Sequence, residues 1–406
     1  MSTTGSRFPS LIDRTHPPVA SAVVEIPEYD PDHVYAWKPA SNYKGWKLLA
    51  KGEAGVDDAS VIQEAIDTVY NNGGGLIKLK KGTFLIDSQI SIPDKIYLVG
   101  EGMYSTILRA KTDLASIILI QKIGEYFEGI LLADMMIDIN NNAGDGVIVD
   151  GTGRSVFIER CRVSYASQSG YAGIRIKNLS WGVVIKDCYI DYNFKGIVNE
   201  DSNFVRINES VIRFSYSHGI HVLGGGSTRI FHSLIEKSQN QYACHIRLSR
   251  GSDHEIIDNY LEDAPEDGKN IHIGETDTSV DNCLVLGNTM TENNHNIYLQ
   301  NAQNTLIGYN RIGGTGRAIY ISSSCNGTII LPNNIEGTTT GIYDAGTNTI
   351  KLHAKKFGAL TSYVFELLSS PPTSPAVGEV YLDDGTNTTD GNPHLRMWDG
   401  SAWVDL

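Results

Sequence analysis

The chain lacks several features that would define common protein classes. Its 406 residues include five cysteines, an odd number, and no CxxC pair, so neither a disulfide framework nor a zinc finger is expected. No run of 18 apolar residues occurs, which excludes an ordinary membrane-spanning helix. The opening "MSTTGSRFPSLIDRTHPPVAS" has no apolar centre of the secretory type. P-loop, HExxH and GxSxG signatures are missing, and no long basic tract suggests nucleic acid. Charge is scarce (20%) and biased to -14, while 41% of residues are apolar and 41 are glycine. Such a chain can bury a core and make many turns. Any site for a polyanion must gather cations locally against an acidic background.

What the chain has is a repeat. Short strands recur as "GVIVD" at 146, "GIRIK" at 173, "GIVNE" at 196 and "GIHVL" at 219. They continue as "HIRLS", "NIHIG", "NIYLQ", "AIYIS" and "GIYDA" at 245, 270, 296, 318 and 341, with offsets of 22 to 27 residues. A strand-bearing period of that length implies a solenoid. A second strand precedes each of the later ones, as in "IKDCYI", "INESVI" and "IIDNYL". It carries a column of Cys161, Cys188, Ser210, Ser233, Asn259, Asn288, Asn310 and Asn333. Apolar residues follow each of these two positions on, so both point inward, and stacked Ser and Asn can bond their equivalents in the next coil. Near the start, "DDASVIQEAIDTVYNNGGG" has a helical apolar stripe, an Asp cap and terminal glycines, which suits an amphipathic helix closing the open end of the solenoid.

The stretch "GVDDASVIQEAIDTVYNNGGGLIKLKKGTFLIDSQISI…YLVGEGMYSTIL" (55–108) resembles the opening of the pectate-lyase-like superfamily, with the likeness reaching over about residues 50 to 350. The resemblance implies an all-β fold, a right-handed parallel β-helix. It leaves activity open, because the superfamily includes lyases, hydrolases, epimerases, tailspike depolymerases and adhesins. The Asp-Pro-His-Glu run of mannuronan epimerases is absent where this chain reads "GIRIK". "RIK" resembles a polygalacturonase signature but lacks the paired aspartates upstream. The expected organisation is an N-terminal arm (1–50), the capping helix and β-helix (51–353), and a linker with a small C-terminal β module (354–406). That module resembles those of phage tails and archaeal surface proteins, with Trp398 and Trp403 as its core. By the same likeness a homotrimer is expected, at an extracellular or virion surface.

Period-2 alternation sets an outward column of Ile148, Arg175, Val198, His221, Arg247, His272, Tyr298, Tyr320 and Tyr343. Positions just before the strands add Lys195, His218, Lys269, His295 and Arg317, and His245 is expected at the first outward position of its strand. Rings and cations in register on an acidic protein suggest a groove for an acidic, uronate-containing polysaccharide, with flat tyrosine faces for sugars. Arg175, Lys195, His218, His221, His245, Arg317 and Tyr320 are the expected binding residues. Lys269, His272, Arg247, Tyr298 and His295 are the expected reacting cluster for a lyase: Lys269 or His272 as base, Arg247 as neutraliser and Tyr298 as proton donor. His272 is expected to be exposed rather than a core histidine. Carboxylates gather separately as Glu236, Glu262, Asp263 and Asp267, the last three in "LEDAPEDGKN". They suit a Ca2+ site, a hydrolase's acid and base, or a solvated turn. Three functions therefore stand: a polysaccharide lyase, a tailspike-type hydrolase, or a non-catalytic glycan-binding surface protein.

Overall fold

The computed structural model describes residues 21–39 and 46–351, apart from 122–128, 143, 152–154, 266, 292–294, 315 and 339, together with parts of 353–405. Each repeat of the sequence becomes one coil of three short strands, and equivalent strands stack into three long sheets. The first sheet runs in parallel from Gly75–Leu79 to Ile350–Lys351. Ahead of it, Ala22–Glu25, His33–Pro39 and Trp46–Glu53 add an antiparallel edge, for 15 strands in all. The second sheet, Gly82–Ile86 to Asn334–Ile335, and the third, Ile90–Ile92 to Thr340–Asp344, have 11 strands each. Ile and Val from all three sheets fill the interior, including Ile158, Ile185, Ile207, Ile230 and Ile256 on the first alone. An all-parallel sheet needs its inner face buried, and coiling the chain supplies that burial from neighbouring sheets.

The inward polar column forms as the sequence implies. The backbone N–H of Ser210 donates to Ser233 Oγ (3.3 Å), and that of Ser233 to Asn259 Oδ1 (3.0 Å). Asn259, Asn288, Asn310 and Asn333 then continue as a ladder, each backbone N–H and side-chain amide donating to the next Oδ1 at 2.9–3.1 Å. The residue before every ladder position except Asn333, which follows Pro332, is left-handed: Arg160, Asp187, Glu209, His232, Asp258 and Tyr309 have φ of 50–57°, and Gly287 has φ 68°. That conformation turns the chain from the first sheet to the second. It costs about 1–2 kcal/mol for a non-glycine residue, which the buried ladder bonds offset. Cys161 and Cys188 belong to this column and are buried, with their thiol pKa values pushed up by desolvation.

The helix Asp58–Asn71 buries Val61, Ile62, Ala65, Ile66 and Val69 against the N-terminal strands and the first strands of all three sheets. The expected Asp cap is corrected. Asp57 occupies the cap position, but its carboxylate accepts from the N–H of Glu53 (2.8 Å), upstream of the helix. Asp58 is the tether instead, accepting from Gly55 N–H (2.9 Å) and from Leu85 N–H (2.6 Å) in the second sheet. In the C-terminal segment, Val380–Asp383, His394–Trp398 and Trp403–Asp405 pair antiparallel. The Trp398 side chain, expected in a small core, lies outside the described residues.

Candidate functional site

The outward column of the third sheet has the register read from the sequence. Val198 pairs with His221, His221 with Arg247, Arg247 with His272, His272 with Tyr298, Tyr298 with Tyr320 and Tyr320 with Tyr343. Lys269 and Arg317 flank it in the column before, Lys269 opposite Cys244 and Arg317 opposite His295. Adjacent coils are about 4.8 Å apart, so these side chains are forced onto their neighbours. The consequences of that crowding were not visible in the sequence.

Two expectations about histidine are corrected. His272 does sit on the outer face, yet only 8% of it is exposed, because Tyr298 meets its ring edge-on at 5.0 Å and Arg247 lies on its other side. His245 is not outward at all. It is fully buried, and its Nε2 meets the backbone oxygen of Glu262 at 2.7 Å. The strand bends where the second sheet hands over to the third, so residues 245 and 246 both face in and alternation fails for one step. Its equivalents in the next coils are also buried, and Asn270 Nδ2 donates to Asn296 Oδ1 at 2.7 Å. In earlier coils the same corner holds Gly173, Gly196 and Gly219; a Cβ on Gly219 would lie 2.6 Å from the backbone oxygen of His245.

The tyrosines are corrected too. Tyr298, Tyr320 and Tyr343 stack face to face at 4.6 and 5.0 Å with planes within 6°, and Arg317 covers Tyr320 and Tyr343 at 5.3 and 5.1 Å. Faces used against each other are not free to hold sugars. The edges and hydroxyls remain, as a row of hydrogen-bonding groups. Tyr298 has its pKa raised, first by burial and then by Tyr320, so it keeps its proton.

At the centre, cations surround neutral rings. Burial, then Arg247 and Lys195, lowers His218 to about 3. Burial, then His218 and Lys195, lowers His221 to about 2, while burial, Arg247 and Lys269 lower His272 to about 3. Lys195 is lowered by burial and by the like charges of Arg175 and Arg247. His295 is lowered by burial and then by Lys269 and Arg317. Lys269 rests its ammonium 5.1 Å from the Tyr298 ring centre. Several positive groups thus crowd one face of a protein whose net charge is -14.

Not every cation is available. Arg175 is held by Asp145 (2.7 Å) and Glu200 (2.7 Å), which makes it a brace between coils. Arg247 pairs with Glu275 (3.0 Å). Glu200 and Glu275 escaped the sequence reading. They lie just past the strand ends, beside Ser249, and with Leu223, Arg250 and Thr278 they line a cavity of about 430 Å³. Following each strand two residues further would have found Glu200 and Ser249; Glu275 is set one residue beyond that column by Gly274.

Of the carboxylates expected as metal ligands, Glu236, Glu262 and Asp263 lie on or just past the second sheet, while Asp267 is near enough to His295 to raise its pKa. Glu236 and Glu262 are paired neighbours on the second sheet, with Arg213 3.8 Å from Glu236 and Lys237 4.0 Å from Asp263. Asp267 is exposed on the turn that follows. Among the described residues, no three His, Cys, Asp or Glu side chains converge as metal ligands.

A family described as "right handed beta helix region" matches residues 195–357, and one described as "rhamnogalacturonase A/epimerase, pectate lyase-like" matches residues 48–213. The chain belongs to the pectate-lyase-like superfamily of right-handed β-helices. Among superfamily relatives, mannuronan C5-epimerase AlgE5 of Azotobacter vinelandii is 27% identical over 151 residues, 32% of this chain and 15% of that protein. Alginate lyase 7 of the same organism is 32% identical over 113 residues, 25% of this chain and 13% of that protein. The matched region therefore spans a small part of either relative. The Dettilon tailspike protein gp208 shares the fold at a TM-score of 0.53 and 14% identity, over 72% of this chain and 64% of that one.

Proposed function

We propose that this protein acts on an acidic, uronate-containing polysaccharide laid along the third sheet, and that it cleaves the chain by β-elimination. The supporting observation is the cation-rich patch of Lys195, Arg247 and Lys269 around buried neutral histidines in an acidic protein. Like charges held together and desolvated cost stability unless an anion completes them. The names of the relatives support the same substrate class, since mannuronan and alginate are uronate polymers.

In β-elimination a base removes the C5 proton, the C4–O bond breaks, a C4=C5 double bond forms, and the departing oxygen takes a proton. Arg247 and Lys269 neutralise the uronate carboxylate, which stabilises the charge that develops on proton removal. His272 is the base: burial, then Arg247 and Lys269, keep it neutral at pH 7. A bound carboxylate beside Arg247 and Lys269 raises its basicity at the moment of need. Tyr298, which keeps its proton, serves the leaving oxygen.

The test is incubation with pectate, alginate and glucuronan, with and without calcium, while following absorbance near 235 nm for the unsaturated product. His272→Gln should lower the rate about 10²–10⁴-fold. A flat wild-type trace on all three polymers refutes the lyase reading. New reducing ends without the chromophore would assign hydrolysis, and binding without turnover would assign a surface adhesin. The proposal extends to the helix as an end cap, to a C-terminal β module, and to a homotrimer at a virion or cell surface. Light scattering of the full chain tests the last.

A further inference from the structure

The groove contains a hydrogen-bond chain whose proton positions can be worked out. Glu275 is ion-paired with Arg247 at 3.0 Å, so it is a carboxylate and can only accept. Ser249 Oγ donates to Glu275 Oε1, which commits the only proton of that hydroxyl. His221 Nε2 lies 3.0 Å from Ser249 Oγ. The hydroxyl has no second proton to give, so the imidazole must donate, and the neutral ring of His221 carries its proton on Nε2. Its Nδ1 is then a bare acceptor, buried and without a protein partner among the described residues.

A second ring is fixed from the other side. The backbone N–H of Cys244 donates to His218 Nδ1 at 3.0 Å, so His218 too carries its proton on Nε2. That nitrogen is 3.4 Å from Arg247 Nη1. Both groups are donors, so neither satisfies the other. Two donors held this close are matched to a shared acceptor.

We propose that Glu275 is the positioning residue of this groove. Through Ser249 it holds the proton of His221 on Nε2, and through its ion pair it holds Arg247 beside His218. Arg247 and the Nε2–H of His218 then offer two donors to one carboxylate oxygen. The carboxylate part rests on the uronate reading above, whereas the tautomers do not. The depressed pKa values of His218 and His221 agree, since both rings stay neutral over the working pH range. The arrangement is also compact: the two rings meet edge-on at 4.8 Å.

The experiment is long-range 15N–1H NMR on the full chain with 15N-histidine, at pH 7, which distinguishes Nε2–H, Nδ1–H and doubly protonated rings. Wild type should show His218 and His221 as Nε2–H tautomers. Ser249→Ala cuts only the His221 arm, so His221 should become a tautomer mixture while His218 is unchanged. Glu275→Gln releases Arg247 and should weaken binding of a uronate trisaccharide at least tenfold, while its carboxyl-reduced analogue binds wild type and variant equally. An Nδ1–H tautomer for His221 in wild type overturns the proposal, as does an Nε2–H signal unchanged in both variants. If the wild-type tautomers hold but no uronate trisaccharide moves the His218 signal, the positioning role stands and the uronate reading falls.

Discussion

Replacing Asn288 with alanine tests what holds the coils in register. Asn288 is fully buried, and its Oδ1 accepts from both the backbone N–H and the side-chain amide of Asn259 at 3.0 Å. Its amide donates to Ile256 O (2.8 Å) and toward Leu286 O and Asn310 Oδ1 (3.1 Å each). After truncation the Asn259 amide keeps its bond to Ile230 O (2.9 Å), but the Asn259 backbone N–H is orphaned in the interior. An orphaned buried donor costs about 1–3 kcal/mol, and each lost bond about 1 kcal/mol, giving about 3–5 kcal/mol in all. In a solenoid each coil leans only on its neighbours, so the loss should appear locally. Peptides spanning residues 284–312 should open about 10²–10⁴-fold more often. Hydrogen–deuterium exchange with mass spectrometry reads this directly, with peptides from residues 156–191 as the internal reference. Asn288→Ser should be milder, because Ser233 fills the same position natively and its hydroxyl still accepts the N–H of Ser210. Exchange in the alanine variant within threefold of wild type would refute the ladder as a source of stability.

Other outcomes follow from the groove and the interior. His218, His245 and His272 titrate at about 3 and His221 at about 2 when folded, below the ordinary 6.5. The unfolded chain therefore binds more protons between those values, so stability is full above pH 6.5 and falls as pH drops toward 3. Each ring adds a slope approaching ~1.4 kcal/mol per pH unit near pH 5, and urea unfolding across pH 4–7 measures it; a flat profile contradicts the burial. Tyr320→Phe should weaken glycan binding about three- to tenfold, as much as one polar contact contributes, since the stacked faces are already covered. Unchanged affinity in calorimetry would return the ring face to the role first expected of it. His245→Leu removes one of the two hydrogen bonds to the oxygen of Glu262, which keeps the backbone N–H of Lys237 at 3.2 Å, costing about 0.5–1.5 kcal/mol, yet should leave glycan affinity within twofold. A large loss of affinity would put His245 back in the groove.

The sequence by itself determined the coil. The repeat spacing, the inward Ser and Asn column and the alternating Ile and Val fix which residues stack, because a parallel sheet of period 2 leaves one register that buries every apolar residue. It therefore placed His221, Arg247, His272 and the three tyrosines in one row. Tertiary structure decided what that row can do. At about 4.8 Å between coils, tyrosines meet face to face, Arg247 finds Glu275, and His272 is covered by its neighbours, none of which alternation encodes. His245 shows the limit most plainly: where a strand bends between sheets the period breaks for one residue, and only the folded backbone says which way that side chain points.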